Sequence, residues 1–267
     1  MLTRIALRIA VQEALRGRTL AGDNVLDSSI GALDLDADGS ARTDQDKPFL
    51  SVYTDSGAMA AGNGLMGLFA ESTVELVIEA GTTAAMVEQD PETGAGIVLG
   101  LGLPATDAGM ELTVDLMLRE AADALTDPGN QWADLVRCLF VNVTAIERSR
   151  TGQVTNGTRL AAHELRIKGE MVQDPARGAD LTGSDYERFL AALAATGRPD
   201  LLAVKDSFER VLVGLPLDWE LVQRELGQTN GQSIALGLRP LATDDAGAEP
   251  ELGDVSIEIA GRQDGQP

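Results

Sequence analysis

The sequence contains a single cysteine, Cys138, and a single histidine, His163. One cysteine excludes an intramolecular disulfide, and one histidine excludes a histidine-rich metal site and makes any Ser–His–Asp triad depend on that residue. Only nine aromatic residues occur, and they do not alternate with basic ones, which argues against a stacking platform for single-stranded nucleic acid. No apolar run reaches the roughly 18 residues that a membrane-spanning helix requires.

Basic residues are also scarce: 21 Lys and Arg stand against 42 Asp and Glu, which gives a net charge of −21. A surface this acidic repels phosphate backbones and anionic lipids, so it disfavours a nucleic-acid-binding or membrane-surface role. A salt-adapted proteome produces the same excess of acidic residues. Because no catalytic motif stands out, we expect a protein that is not an enzyme and holds no cofactor or metal.

Hydrophobic periodicity predicts an α+β fold in which a small mixed or antiparallel sheet is flanked by helices. Helices are predicted over residues 2–16, over 106–125 and from Trp132 along an apolar stripe to Ile146. Strands are predicted over residues 48–54, 72–80, 97–103 and 159–172. We expect the first two strands to pair as an antiparallel hairpin with a long tip.

The tip of that hairpin, residues 56–69, is rich in Gly, Ala and Met and is predicted to be a mobile loop. Its large apolar residues are Met59, Leu65, Met66 and Phe69. Exposed Met and Leu side chains on a loop suit a surface that orders against a partner, so these four are the candidate interaction residues. A loop with no partner is the alternative.

The pattern changes character near residue 180. Ser184 and Glu187 form a capping box, which starts a mainly helical C-terminal extension of three short helices. Two short strands and a frayed tail complete it, over residues 233–238, 255–259 and 261–267. We therefore predict a core over residues 1–180 and an extension over residues 184–267.

Residues 34–46 open like a calcium-binding loop. Oxygen ligands alternate at Asp34, Asp36 and Asp38, and a glycine follows for the turn. The pattern then requires a bidentate glutamate, but that place holds Gln45. A solvated acidic loop is the favoured interpretation, and a calcium-dependent binding or hydrolytic module is the alternative from another functional class.

Other titratable residues give weaker signals. Glu75 with Glu79 on a strand, or Glu111 with Asp115 on a helix, could act as an acid–base pair. Nothing in the local sequence distinguishes either pair from a solvated edge. The apolar face of its predicted strand carries His163, which favours a packed core histidine over a ligand.

Five segments occur in an order that is typical of one family: residues 2–16 (LTRIALRIAVQEALR), 25–28 (VLDS), 47–55 (KPFLSVYTD), 74–79 (VELVIE) and 159–168 (RLAAHELRIK). Together they resemble the tail terminator, or tail-completion, proteins of long-tailed bacteriophages and gene transfer agents. The likeness covers about two-thirds of the chain and contains no catalytic signature, so no residue acquires a catalytic role from it. The extension after residue 184 is a departure, because typical terminators lack it.

The resemblance implies a virion structural protein at the head–tail joint, assembled in the cytoplasm of the bacterial host. It implies a homo-oligomeric ring, usually a hexamer, that caps the tail tube, contacts the tail tube protein and the head connector or stopper proteins, and lets double-stranded DNA pass without specific binding. A head–tail adaptor or stopper of the neck is the alternative in the same class. An acidic scaffold protein whose likeness to the family is coincidental is a further alternative.

Overall fold

The structure is a computed structural model that describes residues 1–28, 34–35, 41–42, 47–59, 72–83, 87–89, 96–98, 106–150, 154–155, 158–213, 219–220, 223 and 226–238. The chain divides into two compact units, Met1–Gln228 and Thr229–Pro267. Within the second unit, the structure describes helix α6 (Asn230–Ala235) and the residues that flank it.

The first unit has the predicted α+β architecture. Its helices are α1 (Leu2–Leu15), α2 (Asp107–Thr126), α3 (Gln131–Leu139), α4 (Asp185–Ala195) and α5 (Pro199–Leu212). Its strands are β1 (Val25–Asp27), β2 (Asp34–Leu35), β3 (Ala41–Arg42), β4 (Phe49–Met59), β5 (Ser72–Thr83), β6 (Val87–Gln89), β7 (Gly96–Val98), β8 (Phe140–Arg150), β9 (Val154–Thr155) and β10 (Thr158–Met171).

The main sheet has the strand order β1–β4–β5–β10–β8, and β9 pairs with β10 off this path. Strand β1 runs parallel to β4, and the other neighbours are antiparallel. Two small hairpins, β2–β3 and β6–β7, stand outside the main sheet. The order leaves β1 and β8 as the two edges of the main sheet.

Helix α1 is amphipathic and is fixed at its first turn by a distant carboxylate. Leu7 and Leu15 are fully buried. Asp174 accepts hydrogen bonds from the backbone N–H groups of Leu2 and Thr3 at 2.8 and 2.9 Å, which satisfies donors that a helix start leaves free. Burial alone would raise the pKa of Asp174, but hydrogen bonds from the amino terminus and from Thr3 outweigh it and hold this pKa below its usual value.

The core lies between one face of the sheet and the helices. Alternate residues of β5 and β10, such as Ile78 and Leu165, point into it, as the period of two in a strand requires. Phe189 of α4 and Phe208 of α5 belong to the same cluster, with ring centroids 5.5 Å apart. Helices α4 and α5, which follow the predicted boundary near residue 180, therefore share the core of α1, α2 and α3.

The prediction of one long helix after Trp132 was wrong beyond residue 139. Asn130 caps α3 by accepting hydrogen bonds from the N–H groups of Trp132 and Ala133, and the helix ends at Leu139. The chain continues as β8, which pairs with β10 from His163 to Met171. The β-branched residues after Leu139 favour a strand, and pairing with β10 satisfies their backbone groups.

The strand predicted over residues 233–238 was also wrong, because most of that stretch belongs to α6 and its end. A capping box of Thr229 and Gln232 starts this helix, and Gly237, with a φ of 66°, follows its end. Of the strand predicted over 97–103, residues 97–98 form part of β7, and residues 99–105 lie outside the described residues. The strand predicted over 255–259 lies outside them as well.

Candidate functional site

The sheet face opposite the core carries a row of polar side chains. Across the strands, Ser51 stands opposite Glu79, Glu79 opposite Glu164, and Glu164 opposite Ser149. Glu164 is 8% exposed, and Ser51 is 1% exposed and its hydroxyl has no hydrogen-bond partner within the described ranges. The next row includes Arg166, whose guanidinium neutralises part of this acidic face.

Arg166 connects three strands by ion pairs. Its guanidinium lies 3.2 Å from Asp55 on β4, 2.7 Å from Glu75 on β5 and 2.8 Å from Glu164 on its own strand. The hydrogen bond from Arg166 lowers the pKa of Glu75, and the hydrogen bonds from Glu75 and Glu164 raise the pKa of Arg166. The cluster holds β4, β5 and β10 together on the face that the helices do not cover.

Glu79 has the opposite environment from Glu75. Burial, and then the negative charge of Glu164, raise the pKa of Glu79 to about 7, while Arg166 lowers it in part. Burial and the charge of Glu79 also raise the pKa of Tyr53 well above its usual value. A carboxyl that titrates near neutral pH can donate or accept a proton, which is the property that the sequence could not assign to either residue of this pair.

The only histidine lies on the other face of the sheet, where α2 crosses β10. Its Nε2 lies 2.7 Å from Glu111 and its Nδ1 lies 3.1 Å from Asp115. Glu111 also forms an ion pair with Arg150 of β8. Glu111 and Asp115, the second candidate acid–base pair, therefore both contact His163. His163 is a polar contact between helix and sheet rather than a residue of the apolar core.

These positions separate the histidine from the serines of the polar face. Ser51 and Ser149 lie on the polar face, and His163 lies on the helix-covered face, so they do not form a serine–histidine pair. Among the described residues, no group of three or more His, Cys, Asp or Glu is arranged to hold a metal ion. No helix in the described ranges is long and apolar enough to cross a membrane.

The first residues of the predicted interaction loop belong to a strand. Gly57, Ala58 and Met59 belong to β4 and pair with Val74, Thr73 and Ser72 of β5. The remaining candidate residues all lie outside the described residues: Leu65, Met66 and Phe69. Their role in contacting a partner stays a prediction.

The acidic stretch over residues 34–46 is described only in part. Asp34 and Leu35 of β2 pair with Arg42 and Ala41 of β3 as a short antiparallel ladder. Asp36, Asp38 and Gln45 lie outside the described residues, so the calcium alternative stays a prediction.

The first edge of the main sheet, β1, is short, and the backbone N–H and carbonyl of Val25 are already bonded. The Gln12 side chain donates a hydrogen bond to the Val25 carbonyl at 2.9 Å, and the Val25 N–H donates to the Asp23 carbonyl at 2.8 Å. Ser28 then takes a φ of 48°, which ends the strand after three residues. This edge presents little backbone to another strand.

The second edge, β8, is long, and no residue that the structure describes pairs with its outer side. We call the unpaired side of Phe140–Arg150 the open edge. Nine of its eleven residues are exposed, including Val141 at 55%, Val143 at 45% and Ile146 at 65%. Long apolar edge strands of this kind are templates for pairing with another strand, and monomeric proteins normally shorten or charge them.

One end of the open edge carries two arginines, Arg148 and Arg150, beside one glutamate, Glu147, in a strongly acidic chain. Arg148 is exposed and forms no ion pair with any residue in the described ranges, and Arg150 is 68% exposed at its side chain. The open edge therefore combines free backbone donors and acceptors, apolar side chains and positive charge. That combination suits an extended, acidic and apolar partner segment.

No family model matches the chain, and no curated protein matches it.

Sequence reasoning missed the open edge because the same residues satisfy two patterns. The apolar residues from Trp132 to Ile146 recur at helical spacing, which predicted one helix. The signal for a strand was the run Val141, Val143, Thr144 and Ile146, since β-branched residues are enriched in strands.

Proposed function

We propose that this chain is a non-enzymatic virion structural protein, a ring-forming tail terminator that caps a tail tube and joins it to the head connector. The observation that carries the proposal is the open edge of β8, because an exposed edge strand is a surface through which another protein chain can associate. A capping protein needs such a surface, because its function consists of contacts with copies of itself and with the end of a tube.

Two further features support the proposal. The five segments that resemble the tail terminator family fall on α1, β1, β4, β5 and β10, so they include four of the five strands in the order of the main sheet. In addition, a net charge of −21 on each copy would repel DNA, which suits a passage through which DNA slides without being gripped by counterion release.

The experiment is electron microscopy of particles produced with this gene deleted, with a plasmid copy of the gene as the control. Overlong tails and unattached heads, both corrected by the plasmid, are expected for a terminator. Tails of normal length without heads would instead indicate an adaptor or stopper of the neck. Particles that are intact without the gene would refute the structural role.

A further inference from the structure

We infer that the open edge of β8 receives a strand from the C-terminal region of a neighbouring copy, residues 255–259, so that copies join head to tail. We call residues 255–259 the donor segment. It lies outside the described residues, and its sequence, Val-Ser-Ile-Glu-Ile, predicts a strand. This inference rests on the proposed function only for the closure of the joined copies into a ring.

The backbone of the open edge is long enough for this role. Strand β8 has 11 residues, and at roughly 3.4 Å per residue it offers about 37 Å of edge. A five-residue donor needs less than half of that length. Added strands gain main-chain hydrogen bonds along such an edge, and side chains at alternate positions supply the selectivity.

The apolar side chains of the two segments match in kind and spacing. Val143 and Ile146 pair with Gly169 and Ile167 of β10, so they belong to the face of the sheet that the helices partly cover. The donor segment places its three β-branched apolar residues at alternate positions, hence on one face of a strand: Val255, Ile257 and Ile259. Pairing would cover side chains that β8 leaves in solvent.

The charges are also complementary. One end of the open edge carries Arg148, which forms no ion pair with any described residue, between Glu147, which pairs with Lys168, and Arg150, which pairs with Glu111. Residues 241–260, which include the donor segment, contain six acidic and no basic residues. Positive and negative patches of this kind set the direction of approach and exclude other partners.

Donor and acceptor are different surfaces, so the contact is heterologous. Heterologous contacts produce closed rings when the rotation between copies closes, and open filaments when it does not. The other edge of the sheet, β1, cannot act as the acceptor in the same way, because the Gln12 side chain and the Asp23 carbonyl already bond the Val25 backbone.

The experiment measures the mass of the purified full-length chain by light scattering and native mass spectrometry at increasing concentration. The acceptor variant is Ile146→Lys, and the donor variant is Ile257→Pro, since proline removes a ladder N–H. Val211→Lys and Ala246→Pro are the matched controls, because Val211 is 53% exposed on α5 and Ala246 precedes the donor segment. Circular dichroism verifies that every variant is folded.

We expect the wild type and both controls to form oligomers, and each of the two variants to weaken assembly by about 30-fold or more, as an unpaired charge at an interface does. Mixing the two variants should then restore a 1:1 pair and no larger species, because only one intact donor meets one intact acceptor. A monomeric wild type at about 100 μM, well above the Kd range of a specific interface, would overturn the inference.

Other outcomes separate the inference from the proposed function. If Ile146→Lys is monomeric but Ile257→Pro assembles like the wild type, the open edge binds something other than the donor segment and the inference fails. If the mixed variants pair as expected while gene-deleted particles are intact, the inference stands and the tail terminator function fails. Overlong tails on deletion, with both variants still forming oligomers, would give the reverse result.

Discussion

The two edges of the main sheet differ in length, in bonding and in surface chemistry. Strand β1 has three residues, and the backbone groups of Val25 are bonded by Gln12 and by the Asp23 carbonyl. Strand β8 has 11 residues, and its outer side is unbonded within the described ranges. Closing one edge of a sheet limits aggregation, because two open edges allow strands of other chains to add on both sides. This difference is the observation on which the proposed association through β8 rests.

The largest expected effect comes from detaching β8 from the sheet. A Cβ on Gly169 would collide with the Asn142 carbonyl oxygen and would lie 2.8 Å from the Phe140 ring. Gly169→Ala should therefore lower the free energy of unfolding by about 2–3 kcal/mol, as overpacking does. Gly129→Ala is the control, since its Cβ would meet only the movable Asp127 side chain at 3.3 Å. Equal urea midpoints for the two variants would contradict this account.

The next effect tests the middle of the sheet, between the two edges. The pKa of Glu79 is raised to about 7, so the folded state holds its proton at pH values where the unfolded state has lost it. Stability is therefore expected to fall as the pH rises from about 4.5 to about 7. Glu79→Gln should remove this loss and gain about 2 kcal/mol at pH 8, with no gain at pH 4.

Urea unfolding at several pH values measures this gain. Glu147→Gln is the control, because Glu147 is 54% exposed at its side chain on β8. A gain of the same size at pH 4 and pH 8 would mean that proton linkage at Glu79 is not the cause.

A smaller effect comes from opening the closed edge. Gln12→Met keeps the length of the side chain but removes the donor to the Val25 carbonyl, so it should cost about 1 kcal/mol, the usual net value of one hydrogen bond. Amide hydrogen exchange should increase around β1 and stay unchanged in β8. Arg119→Met is the control, as Arg119 pairs with Asp123 on the exposed face of α2. Equal exchange in both variants would show that Gln12 does not protect this edge.

The smallest expected effect concerns the acidic stretch after β1. Because Gln45 occupies the place of the bidentate glutamate, calcium should leave the melting temperature unchanged relative to a chelator. A calcium site would instead stabilise the protein by about 2.7 kcal/mol at a hundredfold excess over Kd. An increase that Asp36→Asn abolishes would revive the calcium alternative.

The elements with simple periodicity could be predicted from the sequence. Helices α1 and α2 and strands β4, β5 and β10 each show one clear period, and each occurs near its predicted place. The stretch from Trp132 to Arg150 could not be assigned in this way, because its apolar residues fit both periods. Its conformation depends on pairing with β10, which follows later in the chain and lies outside any local sequence window.

The environments of individual side chains also depended on residues that are distant in sequence. Glu75 and Glu79 differ by four positions on one strand and look alike in sequence, yet Arg166 lowers the pKa of one and burial raises the pKa of the other. Sequence reasoning identified the pair but could not separate its members, because the arginine belongs to another strand.

Composition and local patterns by themselves determined the acidic surface, the absence of an internal disulfide and the α+β class, since each depends on residue types or on neighbours a few positions apart. Tertiary structure alone decided which edge of the sheet is closed and which is open. That decision depends on contacts between distant residues, such as Gln12 with Val25 and β8 with β10, which no local pattern encodes.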